Sequence, residues 1–344
     1  MKKYAKSISL TLGLILTLTL VLTACSNSKN QNVETLPQSF EEEAGGQRTI
    51  RLGFEGGLCQ AAIPVAHLFG FFEAEGLDTE IIVTGDMVNS RDSLVAGHID
   101  TVAGMLAGWF VPVTQGIDLS FTLGLHTACA SAFVLADSPI TEFEAGQEIA
   151  ISGAIGGAFH NIALRFIHRA GFTPDDFTWR DFPAAEAVVA LQNGAAQVAV
   201  IPDQVGQRFV DDGILRPIRS LTDQDFAEEV CCVLGLATSF IQENPETAER
   251  ISRAVRAASL WLGESAENKA EAVHALVDAG YIAAGIDVDY IVNLMDAWIW
   301  GPSNGLTLQT LEHSIDEYQS LGVIDQTLDP DVIKEQIWRP LTTD

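Results

Sequence analysis

The stretch that decides the fold is Ser93–Ala103, SLVAGHIDTVA, together with its echo at Ala190–Val200, ALQNGAAQVAV. Each reads as the end of an apolar helix, a glycine, and a short buried strand. Gly97 and Gly194 can take the left-handed backbone that ends a helix and turns the chain into a strand. Two copies of one helix–turn–strand unit imply two similar α/β lobes rather than a solenoid array.

Working outward, hydrophobic period and glycine breaks repeat the pattern. Strands are expected at 49–54, 79–83, 100–103, 119–125 and 131–135. A second series follows at 148–152, 179–182, 198–201 and 230–236. Helices are expected between them, including one unbroken helix over 61–75, a 157–170 helix opened by Gly156-Gly157, and a 184–192 helix. Ala248, Ile251, Val255, Ala258 and Leu262 form one apolar stripe at helical spacing, so the C-terminal third is read as helical.

The N-terminus is different. Lys2, Lys3 and Lys6 precede an uncharged Leu/Thr-rich run and then Leu22-Thr23-Ala24-Cys25, the order of a secretory signal. The tetrapeptide resembles the bacterial lipobox, whose cysteine is lipidated. Residues 1–24 are therefore expected to be a lipoprotein signal peptide and Cys25 the lipidation site. The alternative is an uncleaved anchor helix. Residues 25–47 are polar and are read as a flexible tether. Formal net charge is −27, and beyond the leader only Lys29, Lys269 and Lys334 remain among lysines. So acidic a chain excludes nucleic acid as a partner, and it would repel anionic headgroups, leaving membrane attachment to the lipid.

Several motifs carry a family resemblance. They are Gly70-Phe71-Phe72-x-x-x-Gly76-Leu77, Leu94-x-x-Gly97-x-x-Asp100, Gly124-x-His126-Thr127-x-Cys129, Asp137-Ser138-Pro139-Ile140, Gly153-x-x-Gly156, and Cys231-Cys232 followed by Asn244-Pro245. With these the chain resembles solute-binding proteins of ABC importers of the nitrate/sulfonate/taurine class, which also holds thiamine-pyrimidine binders. The resemblance implies an α/β fold of the periplasmic-binding-protein type. Each of two lobes is a mixed sheet flanked by helices, with two crossovers placed near 131–139 and 228–236. Lobe one is then 48–135 plus 237–344, and lobe two 136–236. It further implies a monomeric, lipid-anchored, extracytoplasmic protein that takes a small solute in the interlobe cleft and delivers it to ABC permease subunits, without cofactor or catalysis. The alternative is an iron- or thiol-dependent pyrimidine-precursor enzyme, or a metal carrier, on the same fold.

Ligands of open α/β sheets sit beyond the carboxyl ends of the strands. That rule nominates Glu55, Gly56 and Gly57, then Met105 with Trp109, then His126, then Gly156, Gly157 and His160, and finally Asp203. The glycine run offers free N–H groups at a helix start, but it lacks the order of a nucleotide fingerprint. His160 in the first helical turn is expected neutral, and packing is its alternative role. Trp109 is read as a stacking surface or core, whereas Trp261, Trp298 and Trp300 are read as core. None of the nominated loops holds Lys or Arg, so a neutral or weakly basic heterocycle or a small amine suits them at least as well as an anion. No C-x-x-C or H-E-x-x-H spacing exists, so no metal ligand or catalytic residue is assigned. Cys231 and Cys232 are adjacent on a strand and are expected on opposite faces. Buried free thiols are one reading of the cysteines and a Cys59–Cys129 disulfide another.

Overall fold

Gly97 and Gly194 both take left-handed backbone, with φ of 68° and 71°. Each reverses the chain from a helix into a strand at the same place in its own sheet. In the computed structural model the described residues are 39–344, except 284 and 286. The leader, Cys25 and the tether up to residue 38 lie outside them.

Among the described residues ten strands are formed: β1 (Ile50–Phe54), β2 (Thr79–Val83), β3 (Thr101–Met105), β4 (Ser120–Thr127), β5 (Ala130–Leu135), β6 (Glu148–Ser152), β7 (Thr178–Phe182), β8 (Val198–Pro202), β9 (Leu215–Ser220) and β10 (Val230–Leu236). They make two five-stranded sheets, ordered β2-β1-β3-β10-β4 and β7-β6-β8-β5-β9. Position for position the two orders match. β1 pairs in parallel with β2 and β3, and β6 with β7 and β8. β10 and β5 run antiparallel to both of their neighbours. Each sheet is thus a parallel unit into which one strand is inserted from the other half of the chain. The fold is α/β, with two mixed sheets flanked by helices.

That insertion corrects the expected crossovers. β5 belongs to the second sheet and β10 to the first. The chain therefore crosses at 128–129 and again between Ser220 and Val230, rather than within 131–139 and 228–236. Both strands are apolar and buried almost throughout. Such a run identifies a buried strand but carries no mark of which sheet it enters.

Three further departures have local causes. The 61–75 helix is split into Ala62–Leu68 and Phe71–Ala74, because Gly70 between them is left-handed at φ 77°. β9 was not foreseen: Leu215-Arg-Pro-Ile-Arg-Ser220 lacks an apolar alternation, and Pro217 is tolerated because β9 is an edge strand. The tether also ends earlier than residue 47. Glu43 is fully buried, and its carboxylate accepts from the backbone N–H groups of Glu246 and Thr247 at 2.8 and 2.7 Å. An anion at the start of the Pro245–Glu264 helix satisfies free donors and meets the positive end of the helix dipole.

The Pro245–Glu264, Asn304–Ser320 and Pro330–Ile337 helices all pack on β4 and cover the first sheet. In the second lobe the Asp203–Asp211 helix lies close against β5. A Cβ added at Gly206 would stand 2.3 Å from the ring of Phe133, itself 1% exposed. Gly206→Ala is expected to cost about 1–3 kcal/mol through overpacking. Urea denaturation checks this, and a change within about 0.5 kcal/mol would show that the contact is slack.

Candidate functional site: the cleft between the sheets

The carboxyl ends of five parallel strands converge on one cleft of about 610 Å³. From the first lobe it is lined by Glu55, Gly56, Gly57, Cys59 and Gln60 after β1, by 85–89 after β2, and by Met105 at the end of β3. From the second come 152–154 and 157–159 after β6, and Pro202 and Gln204 around the end of β8. Cys129 in the first crossover and Trp298 complete the lining. Gln204 ties the lobes together across the cleft edge. Its Oε1 accepts from the Leu58 N–H at 3.2 Å, and its carbonyl accepts from the Tyr290 hydroxyl at 3.0 Å.

Among the described lining residues, the acidic side chains are those of Glu55 and Asp86, and no Lys, Arg or His is present. Asp86 is committed locally, accepting from the Asn89 N–H at 2.8 Å to cap the Met87–Val95 helix. Glu55 is freer. Its N–H donates to Gln60 Oε1 at 2.7 Å, yet its buried Oε1 has no partner. Burial first, and then the neighbouring Cys59, push its carboxyl up to about 8, against hydrogen bonds from Gln60 and Ser90. A second orphan lies close by: a Cβ on Gly104 would stand 3.1 Å from the unpartnered Trp109 Nε1 and 3.6 Å from Glu55 Oε1. An acceptor-rich wall with one unpaired donor behind it suits a solute that carries donors.

Of the residues nominated from sequence, Glu55, Gly56, Gly57, Met105 and Gly157 lie on the cleft wall. Trp109 does not; it is 1% exposed, beneath Gly104. His126 does not either, being wholly buried with both ring nitrogens engaged, at 2.7 Å from Thr127 O and 2.8 Å from Cys59 O. Two carbonyl partners require two ring N–H groups, so this site favours the imidazolium. Burial opposes the charge, but Cys59 and Cys231 outweigh it and raise the pKa. Gly156 and His160 are not among the lining residues. His160 Nδ1 accepts from the Gly156 N–H at 3.2 Å and its ring packs edge-on against Trp179. Burial holds its pKa below the ordinary value, in keeping with a neutral ring. Asp203 is buried at the start of its helix, where burial pushes it up to about 7 against a hydrogen bond from Ser131.

The reading from sequence missed the 85–89 turn, Phe159 and Trp298. The strand-end rule applied to β2 would have found the first. Trp298 had no local signal: its helical tail reads as core, yet it stacks on His126 at 4.7 Å and reaches the cleft floor.

The four described cysteines gather around His126, Cys59 and Cys129 on the cleft wall and Cys231 and Cys232 behind them. Cys129 Sγ is 2.7 Å from Cys231 Sγ and 4.0 Å from Cys232 Sγ. Cys231 and Cys232 therefore do not point to opposite faces. The β10–β4 register shifts on both sides of Cys232, and that irregularity turns neighbouring side chains toward one place. Hydrogen bonds from Cys129 and Cys232 draw Cys59 below the ordinary thiol range. For Cys231 burial acts upward, but the bond from Cys129 prevails and brings it down to about 5. Burial drives Cys129 and Cys232 the other way.

The model of the NMT1-like family matches residues 43–277 of this chain. The chain belongs to the NMT1-like family. No curated protein matches it by sequence. Among solved structures, this NMT1-like chain is similar to the periplasmic nitrate-binding protein NrtA of Synechocystis PCC 6803. The TM-score is 0.69 at 17% identity, over 85% of this chain and 86% of that one. It is also similar to the alkanesulfonate-binding protein SsuA of Xanthomonas axonopodis pv. citri bound to MOPS. There the TM-score is 0.67 at 14% identity, over 85% and 98%. The desulfurization enzyme DSZB is similar at a TM-score of 0.58 and 14% identity, over 85% and 96%. At these identities the likeness establishes the periplasmic-binding-protein fold.

Proposed function

We propose that this protein is an extracytoplasmic solute-binding lipoprotein of an ABC importer. A lipid on Cys25 holds it to the cell membrane, and as a monomer it carries a small solute from the cleft to the permease. The observation that carries this reading is the cleft itself: strand ends from two similarly ordered sheets face one enclosed space, bridged by Gln204. Glu55, Gly56, Gly57, Met105 and Gly157 contact the solute. Gly156, His160 and Asp203 support the wall from behind.

Nitrate and alkanesulfonates are anions, and two of the similar structures are a nitrate-binding and an alkanesulfonate-binding protein. The cleft here argues for different cargo. An anion desolvated beside Glu55, with no Lys or Arg on the wall, lacks a counter-charge. A neutral or weakly basic heterocycle, or a small amine, instead brings donors to Glu55. Elution of native ligand and a thermal-shift panel test this. Nitrate, taurine, alkanesulfonates and bicarbonate form one arm, thiamine pyrimidines and small amines the other. A bound solute at a hundredfold its Kd stabilises by about 2.7 kcal/mol. The second arm is expected to raise Tm. A response confined to the anions would overturn the cargo assignment, and conversion of the solute into a new compound would overturn the binding-protein reading.

A further inference from the structure

We propose that Cys129 and Cys231 form a reversible disulfide that joins the two interlobe crossovers. Cys129 lies in the 128–129 crossing from β4 to β5. Cys231 is the second residue of β10, just after the chain has returned to the first sheet. Their sulfurs stand 2.7 Å apart, within about 1 Å of a disulfide bond length.

Two independent departures from regular backbone put them there. Ala128 and Cys129 have φ of 66° and 98°, the described non-glycine residues in left-handed space. Backbone strain of this kind persists where surrounding structure enforces it. On the other side, the register shifts flanking Cys232 turn two consecutive cysteines toward Cys129. Cysteines serving merely as small apolar residues need neither distortion.

Chemistry and access agree. Cys129 lines the cleft although it is 5% exposed, so a small oxidant reaches it through the solute site. With a low-molecular-weight disulfide RS–SR as oxidant, Cys129 passes its thiol proton to the adjoining Cys231 sulfur as it attacks one sulfur of RS–SR, and RS⁻ leaves. RS⁻ takes that proton, the Cys231 thiolate then attacks Cys129 Sγ, the mixed disulfide breaks, and the second RS⁻ leaves to be protonated by water. The two RSH molecules take up the two electrons. Cys59 and Cys232 stay reduced. The bond fixes the spacing of the two segments about which the lobes would move, and so links the redox state of the surroundings to cleft closure. Its presence in cells rests on the extracytoplasmic reading, because that compartment is the oxidising one.

The test uses the purified full chain, reduced and then exposed to oxidised glutathione. It is alkylated under denaturing conditions and mapped by peptide mass spectrometry with fragmentation to separate Cys231 from Cys232. The expected result is a Cys129–Cys231 linked peptide, lost on reduction, with alkyl label on Cys59 and Cys232. Reduction should also lower Tm by about 5 °C or more, because the bond closes a long loop. The Cys129→Ser/Cys231→Ser pair should not respond to reductant. Label on all four cysteines, a bond from Cys59, or thiols shielded by metal until a chelator is added would each overturn the proposal. Alkylation in intact cells separates the two readings. A bond that forms with glutathione but is lacking in cells supports the pairing and counts against the extracytoplasmic location.

Discussion

Replacing Arg165 by methionine is expected to destabilise the protein by about 3 kcal/mol, the cost of removing the buried partner of two half-buried carboxylates. Arg165 sits on the Ala158–Arg169 helix of the second lobe and is 6% exposed. Its Nε donates to Glu317 on the Asn304–Ser320 helix, and its second guanidinium nitrogen to Glu229 at 2.5 Å. Arg169, one turn on, donates to the other oxygen of each carboxylate at 2.7 and 2.5 Å. Two arginines and two glutamates thus close a ring between the second lobe, the second crossover and a helix of the first lobe. Burial acts to raise Glu317, but Arg165 and Arg169 outweigh it and hold its pKa below the ordinary value. Its contribution to stability is therefore present above the unfolded carboxylate range and is lost as pH falls through the lower folded value. Methionine keeps the packing volume against Phe226 and Tyr318 but removes the charge. Denaturant unfolding near pH 7 reads the loss. Adding Glu317→Gln to Arg165→Met should recover part of it, since the two residues are coupled. A loss below about 1 kcal/mol would mean that the ring behaves as an exposed ion-pair network.

Glu55 yields the second large effect, and its sign is opposite to that of Glu317. With a folded pKa raised to about 8, the folded protein binds a proton that the unfolded chain has already released between roughly pH 4.5 and 8. Stability from this group is complete below the lower value and falls by up to about 1.4 kcal/mol per pH unit until the folded pKa is passed. The charged and titratable neighbours are Cys59 and Asp86, with Gln60 and Ser90 donating hydrogen bonds. Glu55→Gln should flatten the slope and leave the variant more stable than the parent near pH 8–9. Binding should respond in reverse. A cationic solute favours the ionised carboxylate, so its affinity rises as pH rises toward 8, with proton release, and the Gln variant should lose at least tenfold. Calorimetry in two buffers of different ionisation enthalpy measures that release. Affinity that falls with rising pH, together with unchanged binding by Glu55→Gln, would remove Glu55 from the site and with it the argument against an anion.

Much of the architecture was legible locally. Val198-Ala-Val-Ile201 and Ile149-Ala-Ile151 read as buried strands, Ala184–Gln192 as a helix, and Gly97 and Gly194 as left-handed stops, because short-range backbone physics decides each of them. The strand-end rule placed Glu55, Gly56, Gly57, Met105 and Gly157 for the same reason: each lies at, or within five residues of, the carboxyl end of a strand. Where β5 and β10 belong was not legible, since an apolar run pairs equally well in either sheet.

By itself, then, the sequence determined the two-lobed α/β plan, the strand ends that face the cleft, and the strongly acidic charge balance. Only the tertiary structure decided which strand crosses between sheets, that Trp298 reaches the cleft while His126 and Trp109 withdraw from it, and that cysteines from three distant segments meet at the cleft. The physical reason is range. Period, caps and turns act over a few residues, whereas burial, charge pairing and thiol contact depend on segments that only the folded packing brings together.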